Sequence, residues 1–187
     1  MKLLILSPYF ERLKPALEKH DDEWIIMEDK ITPGFLKENN IDMGVSYGYR
    51  HILKQNVLDV CPFINMHISY LPWNRGADPN IWSWIEDTPK GITIHYIDEG
   101  IDTGDIIAQR EVSMGPDETL ATSYEKLQEE VVELFYAHWS AIRAGEAPRH
   151  PQQGQGSLHY VADKEKIESL LYDGFNTRVS DIVSGQY

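Results

Sequence analysis

The sequence predicts an α/β protein with a mostly parallel central sheet flanked by helices, and three observations carry that prediction. Short apolar runs ended by turn-forming residues alternate with stretches of helical spacing through the first part of the chain, the pattern of repeated strand-helix units. The 187 residues are 42% hydrophobic and 25% charged, ordinary values for a soluble chain with room for one sizeable core and little more. No apolar stretch approaches the roughly 20 residues that a membrane-spanning helix needs, and the amino-terminal run is too short for a signal peptide. The expected compartment is therefore the cytoplasm, with no membrane partner.

Leu3 to Leu6 is a continuous apolar run closed by Ser7-Pro8 and reads as a strand buried on both faces; Phe10 to His20 follows as a helix with an awkward Pro15. The unit repeats as Trp24 to Met27 with a weak helix over Pro33 to Asn39, then as Met43 to Ser46 with a short amphipathic helix over Ile52 to Val60. Phe63 to His67 is the next strand. It leaves through a loop, Ile68 to Pro79, that carries proline and glycine, and such a loop at a strand's carboxyl end is where open α/β sheets place ligands. A short helix over Ile81 to Ile85 precedes two strands, Ile92 to Ile97 and Ile106 to Val112, joined by a tight turn over Asp98 to Asp105. Leu120, Tyr124, Leu127, Val131, Phe135, His138 and Ile142 then mark one apolar stripe on a long helix from Asp117 to Arg143, capped by Asp117 and ended by Gly145. Gly145 to Gly156 cannot build a core and reads as a surface connector, Asp163 to Leu171 reads as a helix, and the polar end beyond it reads as mobile.

Seventeen Lys and Arg against thirty Asp and Glu leave a formal charge of −13, a field that repels phosphate backbones, so nucleic acid is not an expected partner. The single cysteine, Cys61, allows neither an internal disulfide nor a thiolate metal cluster and reads as a buried core thiol.

Asn65 and His67 stand two apart on one strand, so both side chains reach the same face and the same small molecule. A carboxamide can hydrogen-bond a developing oxyanion, and an imidazole titrating near neutral pH can carry a proton or donate to the same oxygen. Asp102 lies in a turn whose Gly100 and Gly104 allow close backbone approach. A carboxylate beside the imidazole can orient it, raise its pKa, or take a proton from an attacking amine. Taken singly, each has an ordinary structural explanation, because strand neighbours satisfy most Asn-x-His pairs and most acidic glycine turns are solvated hairpins. Arg75, in the loop after the strand, can place an anionic acceptor or pair with a nearby carboxylate. Tyr9, Phe10, Trp73 and Trp82 can stack on a sugar or base, or sit at the rim of the core. His95 reads as a hydrogen-bonded structural residue.

In combination these segments say more. The runs Asn65-Met66-His67-Ile68-Ser69-Tyr70-Leu71-Pro72, Arg75-Gly76, Gly91-Ile92-Thr93-Ile94-His95 and Asp98-Glu99-Gly100-Ile101-Asp102-Thr103-Gly104 resemble, in order and spacing, the catalytic core of the 10-formyltetrahydrofolate-dependent formyltransferases. The resemblance is specific over about Asp42 to Val112. It implies a Rossmann-like formyltransferase fold, with a catalytic domain over 1–145 and a connector with a short helical extension over 146–187 packed on it. It puts Asn65, His67 and Asp102 in the family's catalytic positions. It implies 10-formyltetrahydrofolate as formyl donor, held between Tyr49, Arg50, His51 and Ile52 on one side and Ile97, Asp98, Glu99, Ile101 and Asp102 on the other. Acceptor-side candidates are Tyr9, Phe10, Ser69, Trp73, Arg75 and Gly76, and no metal site is expected.

Within that family the chain is most similar to the sugar N-formyltransferases, which formylate an amino group on a nucleotide-linked deoxysugar. The run Asp98 to Ile107 and the segment Gly156-Ser157-Leu158-His159-Tyr160 followed by Asp163 carry the likeness. The glycinamide ribonucleotide enzymes have a glycine-rich phosphate loop after the first strand, whereas Ser7-Pro8-Tyr9-Phe10 has no glycine and Pro8 has no N–H. The methionyl-tRNA enzymes append a basic carboxyl-terminal domain, for which this acidic chain has no room. The acceptor stays open among an amino-deoxysugar nucleotide, glycinamide ribonucleotide and a carrier-bound aminoacyl group. Rival classes are a metal-dependent hydrolase using His67, His95 and Asp102, a hydrolase of the formyl folate itself, and a non-catalytic folate-binding module. Against the metal reading, no His-x-x-x-His pair is present, and His95 and Asp98 are an odd number of residues apart. The long helix can offer a dimer face, although the core would use the same stripe, so a homodimer is an open expectation.

Overall fold

Strand β1 (Lys2–Leu6) buries Leu3, Leu4, Ile5 and Leu6 completely, as a central strand of a sheet covered on both faces must. The protein, seen in a computed structural model, is described over residues 1–184; residues 185–187, part of the end expected to be mobile, lie outside the described residues. Helix α1 (Phe10–Leu17), β2 (Glu23–Met27), α2 (Pro33–Glu38), β3 (Met43–Ser46), α3 (Gln55–Leu58) and β4 (Phe63–His67) complete the strand-helix alternation. The sheet runs β2-β1-β3-β4-β6-β7, where β6 is Gly91–Tyr96 and β7 is Ile106–Glu111. Its first four strands are parallel, β6 is antiparallel to β4, and β7 is antiparallel to β6.

Alternation along the strands sorts the core into two layers. Leu3, Ile5, Val45, Ile64, Met66, Ile92 and Ile94 face one side, where Leu13 and Leu17 of α1 and Leu127, Val131, Phe135 and Trp139 of the long helix α5 (Leu120–Arg143) pack. Leu4, Leu6 and Phe63 face the other side, against Leu36 of α2 and Val57 of α3. Asn65 and His67 alternate with Ile64 and Met66 and so share the face of Phe63. A third cluster joins α4 (Pro79–Ile85), Leu120, Ile167 and α6 (Val179–Ser184).

Several boundaries differ from the sequence reading, each for a local reason. Helix α1 stops at Leu17, and Lys19 and His20 close with tighter bonds to Ala16 and Leu17. Helix α3 is only four residues long, so Ile52 stays in the preceding loop, 72% exposed. Thr119, not Asp117, caps α5: its hydroxyl accepts from the Thr122 N–H at 3.2 Å while its own N–H donates to the Thr122 hydroxyl at 2.9 Å. Trp139, not His138, carries the buried stripe, four residues after Phe135 and three before Ile142. The expected helix over 163–171 is a 3-10 segment, Val161–Leu170, in which Ile167 alone is buried, so no wider apolar face imposes α-helical spacing. Finally, the glutamine-rich segment after α5 folds back over the sheet: His150 exchanges backbone bonds of 2.8 and 3.0 Å with Ile106, and β8 (Leu158–His159) pairs in parallel with β5 (Arg75–Gly76).

At the far end of α5, Arg143 binds the solvent-inaccessible Asp22 carboxylate through two bonds of 2.6 and 2.7 Å, tying the helix to the entry of β2. The Arg143 hydrogen bond holds the Asp22 carboxyl at about 2, below its ordinary 3.8. Asp22→Asn is expected to lower the unfolding free energy at pH 7 by about 1–3 kcal/mol in urea titrations. Because the folded-state pKa is depressed, this stabilisation is present above pH 3.8 and lost as pH falls toward 2, so the gap between parent and variant should close over that interval.

Candidate active site

Strand β4 presents Asn65 and His67 on one face, and the antiparallel register sets His95 of β6 directly opposite Asn65. The β6–β7 register slips between Ile94, opposite Ala108, and His95, opposite Ile106, a bulge beside the site. After β6 the chain doubles back over this face, and Asp102, with φ of 51°, turns its carboxylate onto all three side chains. Asp102 Oδ1 accepts from Asn65 Nδ2 at 3.1 Å and lies 3.4 Å from His95 Nε2. Oδ2 accepts the Gly76 backbone N–H at 2.8 Å and lies 3.6 Å from His67 Nδ1. Carboxamide, imidazole and carboxylate therefore converge within reach of one small molecule.

Two glycines make the approach feasible. At Gly76, φ is +85° and a Cβ would meet the His159 carbonyl oxygen at 2.2 Å; at Gly104 a Cβ would stand 1.9 Å from the Tyr96 carbonyl oxygen.

Main-chain carbonyls fix the ring tautomers. His95 Nδ1 is 2.8 Å from the Tyr96 carbonyl oxygen, which can only accept, so Nδ1 carries a proton and Nε2 of the neutral ring is a lone pair, 3.3 Å from Asn65 Nδ2. His67 Nε2 likewise donates to the Asn74 carbonyl at 3.1 Å, leaving Nδ1 toward Asp102. The sequence reading missed Asn74, which is fully buried with φ of 54° and uses every polar group. Its N–H donates to Ser157 Oγ at 2.9 Å, its Nδ2 to Glu86 at 2.9 Å, and its Oδ1 accepts from Thr88 at 2.7 Å.

Burial would push the Asp102 carboxyl up, but the imidazoles of His67 and His95 and the Gly76 N–H outweigh it and hold the group well below the usual carboxylate range. Burial lowers His67 below its ordinary 6.5, with Asp102 opposing the drop. At neutral pH the site thus holds an anion beside a neutral imidazole.

The other candidates fall in distinct places. Tyr49 and Ile97 pack into the same apolar cluster, which brings the two expected donor-side segments together; Arg50, Ile52, Asp98 and Glu99 are exposed, and His51 and Ile101 are half-buried. A cavity of about 490 Å³ shares Ile97 and Asp98 with this region and continues past Leu58, Cys61 and Phe63. A larger one, about 720 Å³, lies at Trp84, Lys90, Met114 and Val179, away from the convergent triad. On the acceptor side, Arg75 and Gly76 flank Asp102, and Arg75 donates from Nε and Nη2 to Gln152 Oε1 at 3.1 and 2.7 Å. Ser69 is buried, its hydroxyl donating to the Trp73 carbonyl at 2.8 Å, while the Trp73 side chain is exposed. Tyr9 packs on Tyr47, Phe10 on Trp24, and Trp82 stacks on His159 at 3.9 Å, so these three rings already have partners within the chain. Among the described residues no group of three His, Cys, Asp or Glu side chains is arranged to hold a metal ion, and no helix is long and apolar enough to cross a membrane.

Comparison with known proteins places this geometry. Residues 27–138 match the formyl transferase family. A crystal structure of the formyltransferase PseJ from Anoxybacillus kamchatkensis, in complex with UDP-4,6-dideoxy-4-formamido-L-AltNAc and tetrahydrofolate, is 44% identical with a TM-score of 0.93 over 100% of both chains. A methionyl-tRNA formyltransferase of Syntrophus aciditrophicus (strain SB) is 36% identical over 154 residues, 81% of this chain and 46% of that protein. A dTDP-4-amino-4,6-dideoxyglucose formyltransferase of Mycobacterium bovis (strain ATCC BAA-935 / AF2122/97) is 31% identical over 129 residues, 69% of this chain and 55% of that protein. The chain spans about half the length of the curated relatives it matches.

The pairing of His67 with Asp102 has a direct test. Asp102→Asn removes the anion that opposes the burial-driven drop, so His67 should titrate lower in the variant than in the parent when its ring resonances are followed by NMR. A value that rises or stays put would contradict the contact.

Proposed function

We propose, from the premise that this chain belongs to the formyl transferase family, that it is an N-formyltransferase moving the formyl group of 10-formyltetrahydrofolate to the amino group of a nucleotide-linked amino-deoxysugar. The observation that supports this most is the whole-chain match to a formyltransferase holding a UDP-linked formamido sugar and tetrahydrofolate. The convergence of Asn65, His67 and Asp102 supplies chemistry of the right kind.

In this reading a neutral substrate amine attacks the formyl carbon, and the carbonyl oxygen becomes an oxyanion. Asn65 is the donor suited to receive it, because its contact with His95 Nε2 is a long 3.3 Å and can be exchanged for a charge-assisted bond. The sequence reading gave His67 a share in that task. Its Nε2 proton is instead bound by the Asn74 carbonyl, and its role moves to proton storage. Asp102 takes the proton from the attacking nitrogen, and His67 Nδ1, 3.6 Å away, accepts or shares it. The imidazolium then has an acceptor at each nitrogen, Asp102 and the Asn74 carbonyl. On collapse the carbon–nitrogen bond to the folate breaks, the stored proton goes to the departing nitrogen, and the amine leaves as a formamide, so protons balance within the site.

Arg75 is the proposed contact for an anionic acceptor. Its partner is a neutral amide, and among the described residues no carboxylate lies within ion-pair distance of it, so its charge is available to a phosphate.

Asn65→Ala is expected to lower turnover by on the order of a hundredfold or more. The measurement is product mass from a panel of amines with 10-formyltetrahydrofolate: amino-deoxysugar nucleotides, glycinamide ribonucleotide and aminoacyl carriers. A formamide from the nucleotide sugars supports the reading; formate alone, or activity of Asn65→Ala within tenfold of the parent, would sink it.

A further inference from the structure

We propose that Gln152 is a positioning residue that locks the Asp102 turn and the Arg75 guanidinium into one unit, fixing the distance between the acceptor's phosphate-bearing end and its reacting amine. The kinetic part of this inference rests on the formyl-transfer reading above; the structural part does not.

The Gln152 carboxamide uses its whole hydrogen-bonding capacity. Its Nε2 donates to the Asp102 carbonyl at 2.8 Å and to the Gly104 carbonyl at 2.9 Å, while its Oε1 accepts both Arg75 bonds. Two donors and an oxygen with two lone pairs are what these neighbours require. A glutamate would present only acceptors to the two carbonyls, an asparagine falls one methylene short, and an alanine leaves all four groups unpartnered. The segment bearing Gln152 is itself anchored on both sides, by the His150–Ile106 backbone pair before it and by the Ser157 N–H, which donates to the Pro72 carbonyl at 3.2 Å, after it.

The turn has reason to need such a hold. Asp102 adopts a left-handed backbone conformation that a residue with a side chain rarely takes, and its carboxylate is held from the other side by hydrogen bonds from the Gly76 N–H and the Asn65 amide. Gly76 adjoins Arg75 in β5, so Asp102 and Arg75 are joined twice, once through the backbone and once through Gln152. Because Gln152 is neutral, it orients the guanidinium without cancelling its charge, whereas a carboxylate at this place would do both.

The test compares Gln152→Ala and Gln152→Glu with the parent. Without substrate, amide hydrogen exchange at Gly76 should quicken at least tenfold in Gln152→Ala, because its acceptor sits on the released turn, while exchange in β1 and β3 is unchanged. With substrates, kcat should fall at least tenfold in both variants. The KM for the acceptor should rise severalfold, more in Gln152→Glu, and the KM for the formyl donor should stay within twofold. Gln152→Glu should recover part of its kcat on acidification, when a protonated carboxyl regains one donor. Parent-like exchange at Gly76, or exchange that quickens equally throughout the sheet, would overturn the proposal, as would parent-like kinetics in an active protein. If the parent forms no formamide with any amine, the functional reading fails, and exchange at Gly76 still decides the role of Gln152.

Discussion

Asp102 carries a negative charge inside a chain whose formal charge is already −13, and with a side chain only 16% exposed it has little water to solvate it. An ion in that position must be met by donors, and the donors must be held where they are needed. The fold supplies them from separate stretches, the Asn65 amide from β4 and the Gly76 N–H from β5, and sets the imidazoles of His67 and His95 on the adjoining antiparallel strands where each can donate once protonated. None of these groups could be placed without the sheet order β3-β4-β6, which puts His95 across from Asn65, or without the turn that returns Asp102 over the sheet.

The same constraint sets the protonation state. In the proposed reaction the group that receives a proton from the amine has to be ionised before the amine arrives, and the surroundings of Asp102 keep it so despite burial. The proton must then be stored close by until a leaving nitrogen needs it. His67 suits this because burial keeps the ring neutral at rest, while acceptors at both nitrogens stabilise the cation once formed. The Asn74 carbonyl, fixed by Thr88, Glu86 and Ser157, is therefore as much a part of the proposed proton path as the carboxylate.

The period-two spacing of Asn65 and His67 was legible because it depends on one strand alone, and Leu3 to Leu6, Met43 to Ser46 and the stripe on α5 were legible for the same reason. Asp102 required the ordered set of motifs, since an acidic glycine turn by itself has no distinguishing feature. His95 was legible as a hydrogen-bonded residue but its partners were not, because strand order and register, which set it across from Asn65, are not contained in local pattern. Asn74 acts through its backbone carbonyl, and any residue type supplies one. Gln152 lies in a stretch whose composition excludes a core, and the step from coreless to merely connecting was the error: polar residues that cannot bury apolar area can still tie down a half-buried turn with hydrogen bonds.

That last point bears on how one scaffold can serve different acceptors. The family match runs from residue 27 to residue 138, inside α5, so it spans β3, β4, β6 and β7 with Asn65, His67 and Asp102 but not the segment that follows the helix. Yet this later segment contributes Gln152 to Arg75, Ser157 to Asn74, and His159 to the stack on Trp82. The groups proposed to handle the formyl carbon thus lie within the matched part of the chain, whereas Gln152, Ser157 and His159 lie beyond it. If Arg75 receives the acceptor as proposed, its surroundings can change through a strap that has no core of its own to preserve, while the carboxylate with its donors stays where the sheet has put it.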